Sequence, residues 1–238
     1  MIDDIIHVHQ DICYDREKWR VWADEVDSFT PDHNPEFGRD LGGMHWQRIS
    51  EIASSFVKDV GGGERDATLA DIAGLFCGCG LVNGFDSYAD HSARMAYKYL
   101  TERYYGDVMN GRDIDIICHA IANHVSGEEI QNVIDAALCF ADKIDIGVQT
   151  IKQPVTEVQK AQMSLGGASY YVSPKADGMV SINYEGGPNF RPYGFLKLWP
   201  EGYIVPHKAA NFIDRPFALF LNENTLLWKP DNPPIYEE

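Results

Sequence analysis

The stretch Leu69-Ala70-Asp71-Ile72-Ala73-Gly74-Leu75-Phe76-Cys77-Gly78-Cys79-Gly80 decides how this chain is read. Leu69, Ile72, Ala73 and Phe76 recur three and four residues apart, the spacing that gives an α-helix one apolar face. Asp66 starts this helix, and Gly78 and Gly80 stand near its end. Gly61-Gly62-Gly63 separates it from a preceding helix over 44–57, whose stripe is Ile49, Ile52, Ala53, Phe56 and Val57.

The same period continues outward. Asp90 or Ser87 caps a helix carrying Ala93, Ala96, Tyr97, Leu100 and Tyr104. Asp113 opens another, with Ile114, Ile117, Ile121 and Val125 facing inward. Ser126 with Glu129 has the pattern of a capping box for a helix bearing Ile130, Val133, Ile134, Ala137, Leu138 and Ala141. Five helices joined by short loops predict an all-α bundle. Upstream, Asp15 caps a short amphipathic helix with Trp19, Trp22 and Val26, which stops before Pro31 and Pro35.

Near Pro154 the pattern changes. Stretches of period two at 169–173 and 179–184 predict strands, with Asp177-Gly178 between them as a hairpin signal. A helix over 206–213, a strand over 217–221 and a frayed proline-rich tail from 229 to 238 complete the expectation. The fold class is therefore mainly α. A helical domain over 1–155, including an N-terminal extension, is followed by a smaller α+β C-terminal segment over 156–238.

Composition narrows the function. The 238 residues carry a formal charge of −16, with 45% apolar and 24% charged residues. So acidic a chain argues against a nucleic-acid surface, which needs clustered Lys and Arg. The five cysteines, Cys13, Cys77, Cys79, Cys118 and Cys139, are odd in number and lie mostly in apolar runs, the pattern of reduced thiols. The longest apolar run, 72–82, is far short of the roughly 20 residues that span a bilayer. With no signal-peptide pattern at Met1-Ile2-Asp3-Asp4, the expectation is a soluble cytoplasmic protein without a membrane partner.

Four residues carry candidate chemistry, each on its own helix: His45, His91, His124 and Asp142. His45 precedes Ile49 by four and shares its face. His124 follows Ile121 by three and points inward. Asp142 follows Leu138 by four, at the edge of its stripe. Each is a core polar group as readily as a ligand, but polar groups on apolar faces need partners, and facing helices of a bundle build such sites. His91 differs, because Arg94, Met95 and Lys98 share its face. It looks either to solvent or into a cleft where Arg94 or Lys98 meets a phosphate. His119 lies about 140° around the helix from His124 and is read as packing or surface.

The ordered set resembles the HD superfamily of metal-dependent phosphohydrolases. The resemblance rests on His45-Trp46-Gln47-Arg48-Ile49-Ser50-Glu51-Ile52-Ala53, on Leu69 to Phe76 with the following glycine at Gly80, on Ala120-Ile121-Ala122-Asn123-His124, and on Ala141-Asp142-Lys143-Ile144-Asp145. It covers about residues 36–150 and implies an HD-type bundle. It also implies a divalent metal (Mn, Mg, Fe, Ni or Zn) that polarises a phosphoryl oxygen and activates a water. On that resemblance His45 and Asp142 are first-metal ligands, and His91 and His124 are second-metal or substrate-contacting residues. Lys143 or Arg94 would meet the phosphate.

The adjacent His-Asp pair that defines the family is Cys77-Gly78 here. Gly78 has no side chain to ligate. Cys77 would bring a softer thiolate that favours Zn. Cys77 and Cys79 lie about 200° apart on a helix and do not face one ion together, so they read better as small buried residues packing where helices approach closely. Two functions follow. One is hydrolysis of a nucleotide or other phosphate ester, weakened or lost with the pair. The other is a non-catalytic HD-fold protein that binds a phosphorylated small molecule or a protein partner. Homo-oligomerisation is left open. Restoring the pair, Cys77→His with Gly78→Asp, is expected to raise metal affinity on an intact scaffold.

Overall fold

The computed structural model describes residues 8, 43–84, 86–106, 108–147, 156–175 and 178–229. The expected helix around Trp19 and Trp22, Cys13, Asp177 of the hairpin signal and the tail beyond Lys229 lie outside them. Five helices form the first layer: α1 (Gly43–Asp59), α2 (Glu64–Phe76), α3 (Tyr88–Tyr104), α4 (Gly111–Asn123) and α5 (Val133–Ile144). A short 3-10 turn, Cys79–Asn83, joins α2 to α3.

Backbone chemistry sets the helix ends. Gly61, at φ +92°, closes α1: Gly62 N–H donates to Val57 C=O at 2.8 Å and Gly61 N–H to Lys58 C=O at 3.0 Å, a Schellman motif. The chain then doubles back so closely that a Cβ on Gly74 would meet the Ser50 backbone. Asp113 is the third residue of α4 rather than its opening. Asn110 accepts from Asp113 N–H at 3.0 Å, and Asp113 returns a bond to Asn110 N–H.

The capping box expected at Ser126 and Glu129 does not form. Gly127, at φ +57°, takes the chain out of helical geometry directly after Ser126. Asn132 caps α5 instead, its Oδ1 accepting from Ile134 and Asp135 N–H at 2.9 and 3.0 Å. Val125 is likewise not an inward helical residue. The helix ends at Asn123, its phase is lost, and Val125 is exposed.

The C-terminal part adds α6 (Glu157–Gln162), β1 (Leu165–Val172), β2 (Val180–Gly186), α7 (Pro192–Leu198), α8 (Glu201–Phe212), β3 (Phe217–Leu221) and β4 (Thr225–Trp228). The sheet order is β1-β2-β3-β4. β1 and β2 are antiparallel, with Tyr170 opposite Ile182. β2 and β3 are parallel, with Ile182 opposite Leu219. A parallel pair needs a crossover, and α7 with α8 supplies it. α8 packs against α5 on one side and β3 on the other. β1 reaches the bundle through Tyr170, whose ring lies 5.5 Å from Phe140 and 6.1 Å from Phe56, themselves stacked at 4.4 Å. The chain is thus mainly helical with a small four-stranded sheet. Among the described residues no single helix is long and apolar enough to cross a membrane.

Candidate functional site

A cleft of about 440 Å³ opens where the C-terminal part meets the bundle. His45 of α1, Cys77 and Gly78 after α2, and Asp142 and Lys143 of α5 line its polar end. His124, at the C-terminus of α4, and Tyr88, at the start of α3, stand beside them. Thr156, Val158, Gln159 and Gln162 around α6, with Trp199 after α7, also line the cleft. The bundle and the C-terminal segment both contribute to this lining.

The acid-base groups are paired in detail. His45 is buried, and its Nδ1 donates to Asp145 Oδ2 at 2.5 Å. Arg48 holds the same carboxylate with Nε at 2.7 Å and Nη2 at 3.0 Å, the bidentate fork that suits guanidinium and carboxylate. Burial would raise the Asp145 carboxyl, but the bonds from His45 and Arg48 outweigh it and hold the group below the usual carboxylate range. The imidazole of His45 is therefore fixed in orientation, with Nε2 facing Asp142 Oδ1 at 3.9 Å, outside hydrogen-bond reach. A ring nitrogen presented this way can hold or take a proton from a bound molecule.

Asp142 is mostly buried and takes the Lys143 ammonium on Oδ2 at 2.5 Å. Burial opposes ionisation, yet Lys143, then His124 and His45, keep the carboxyl well below its ordinary value. His124 is buried, and burial pushes its pKa down against the pull of Asp142. Its Nδ1 bonds Ile121 C=O at 2.6 Å. A neutral ring donating there presents Nε2 as the acceptor for Tyr88 O–H at 3.2 Å.

Glycines bring these pieces together. A Cβ on Gly80 would strike the Tyr88 carbonyl and Ser92 N–H, and Gly80 N–H donates to Ser92 Oγ at 2.8 Å. That close approach sets the start of α3, and with it Tyr88, beside the cleft. Cys79 turns away toward the Ser92 carbonyl at 3.8 Å while Cys77 lines the cleft, so the two thiols diverge. Burial first, then Asp142, raises Cys77 well above the usual thiol range.

Of the residues picked out from the sequence, the structure brings His45, His124, Asp142, Lys143 and Cys77 to one place. His91 and Arg94 are not among the residues lining the cleft. They bond each other on α3, Arg94 Nη2 to His91 Nδ1 at 3.0 Å. Their part in substrate contact would need them on the cleft side of α3, where Tyr88 stands instead. His119 bonds Asp135 at 3.0 Å.

Asp145, Arg48, Tyr88, Trp199, Gln159 and Gln162 went unselected from the sequence. Asp145 lies three residues after Asp142 and Arg48 three after His45, so helical spacing held a signal for that pair. The lining residues Gln159, Gln162 and Trp199 carry no local signal.

The donor set does not fit the implied divalent metal as it stands. His45 Nε2 and Asp142 Oδ1 face each other, but the Lys143 ammonium already occupies the carboxylate and burial raises the Cys77 thiol well above its ordinary range. The position for a second carboxylate is closed as well. A Cβ on Gly78 would overlap the Trp46 indole, so Gly78→Asp cannot restore a ligand without moving a fully buried tryptophan. The double change Cys77→His with Gly78→Asp would therefore have to displace Trp46 before it could add a ligand.

Comparison with protein-family models, with curated proteins and with solved structures finds no significant match.

Proposed function

We propose that this chain is an HD-type protein whose cleft binds a small molecule without metal-dependent hydrolysis. One observation carries the reading: the Lys143 ammonium sits on Asp142, the carboxylate that the HD resemblance assigns to the metal. An ammonium placed there supplies the positive charge a metal would otherwise bring. The volume, about 440 Å³, falls within the range of small-molecule sites, and an apolar wall with a few convergent polar groups is their usual lining.

A second reading keeps a phosphorylated ligand. Lys143, His45 and His124 meet at one end of the cleft and would face its phosphate, with Lys143 exchanging Asp142 for the phosphoryl oxygens. His45, held by Asp145, would then be the group that takes a proton.

The test is metal analysis of untagged protein together with a phosphatase screen across Mn, Mg, Fe, Ni and Zn. The proposal expects substoichiometric metal and no turnover that depends on His45 or Asp142. Stoichiometric metal, with turnover abolished by His45→Ala and Asp142→Ala, would overturn it. A thermal-shift screen with phosphorylated and unphosphorylated compounds decides between the two readings.

A further inference from the structure

Gln162 is fully buried on α6 and lines the cleft, yet neither its Oε1 nor its Nε2 bonds any described residue. Buried polar groups are satisfied in the great majority of cases, and each exception calls for a cause. Gln159, one turn earlier and equally buried, shows the contrast: its Oε1 accepts from Thr156 N–H at 3.1 Å. The unmatched amide therefore belongs to Gln162 and is not a general feature of α6.

A primary amide offers one acceptor and one donor side by side in a plane. Its complement is a ring N–H next to a ring C=O. Trp199 stands in the same wall, with Phe195 at 5.5 Å and Gly202 set against its ring, so that a Cβ at 202 would overlap the indole. The indole is thus held in place and offers a flat surface for a planar partner. Leu81, Val125 and Val158 make up apolar walls around the same space.

We infer that the cleft takes a planar lactam, a ring with adjacent N–H and C=O, read by the Gln162 amide and stacked against Trp199. This rests on the reading of the cleft as a small-molecule site and names the class of molecule. The phosphate subsite at Lys143 plays no part in it. The ring N–H donates to Gln162 Oε1, and Gln162 Nε2 donates to the ring carbonyl. An N-methyl group on the ring removes the donor and adds bulk at the point of contact.

The test uses the full chain with uracil, 2-quinolone and hypoxanthine, each beside its N-methylated analogue, in calorimetric titration and thermal-shift assays. At least one parent lactam is expected to bind at least 10-fold more tightly than its N-methyl form. Gln162→Met, close in shape and without polar atoms, should weaken that binding about 10- to 100-fold. The same change should raise the Tm of the ligand-free protein by about 2–6 °C, because a buried unmatched amide is removed. Gln162→Leu serves as a second apolar variant with the same two expectations. Three outcomes would overturn the inference: no binding by any parent lactam, equal binding by the methylated forms, or a lower Tm with unchanged binding in both variants. A metal-dependent phosphatase activity would instead sink the reading of the site, whichever rings bind.

Discussion

The Trp46 indole lies over Gly78, in the space that a β-carbon at that position would take. Both residues are buried, Trp46 completely. Gly78 is therefore required by the packing of α1 against the end of α2, whatever chemistry the cleft performs. Gly78→Ala should cost about 1–3 kcal/mol through overpacking, read from urea denaturation. A double-mutant cycle with Trp46→Leu should show a favourable coupling between the two changes, since the smaller side chain makes room. Additive effects would mean that Trp46 does not constrain Gly78.

Introduction of a His-Asp pair at positions 77 and 78 meets the same contact. The double change Cys77→His with Gly78→Asp should lower stability and leave Zn and Mn affinity unimproved, as measured by calorimetric titration. A clear gain in affinity would show that Trp46 moves aside easily and that the bundle still holds a latent metal geometry.

Asp145 joins α1 to the end of α5 by accepting from both His45 and Arg48. Asp145→Ala leaves a partly buried guanidinium without its fork partner, and a loss of about 3 kcal/mol is expected. Arg48→Ala should cost less, because Arg48 is partly exposed to solvent. Equal losses in chemical denaturation would contradict this order.

Acid should unfold the protein in two stages. The folded pKa of His124 is depressed, so its contribution is complete above the unfolded value of about 6.5 and is lost as pH falls through the window below it. Asp145 is depressed in the same sense, with its contribution lost only below the unfolded carboxylate value of about 3.9. Stability measured between pH 7 and 5 should therefore fall on acidification. His124→Asn should flatten that slope while leaving the later acid transition in place. An unchanged slope in this variant would remove His124 from the account.

Tyr170 is the sheet's anchor on the bundle, with its ring against Phe140 and its hydroxyl donating to Asp59 at 3.0 Å. Tyr170→Phe should cost only about 0.5–1.5 kcal/mol, the net value of one hydrogen bond. Tyr170→Ala should cost about 3–5 kcal/mol by opening a cavity between the sheet and the helices. Comparable losses in both variants would place the anchoring in the hydroxyl instead of the ring.

Local pattern determined the helices because burial of one face at period 3.6 is written directly into residue spacing. It put α1, α2, α3 and α4 within a few residues of their ends, and it turned His45 and His124 inward. It failed at Ser126, where the positive φ of Gly127 overrides a capping pattern that looked complete. For His91 and Arg94 it left solvent and cleft both open, and the structure keeps them off the cleft lining, where the close approach of Gly80 to α3 sets Tyr88 instead. The Asp145 clamp on His45 and the Trp46 block over Gly78 depend on how helices meet. The wall carrying Gln162 and Trp199 depends on where the C-terminal segment docks. A sequence states which faces want burial; only the assembled tertiary structure decides which side chains then occupy the same few ångströms.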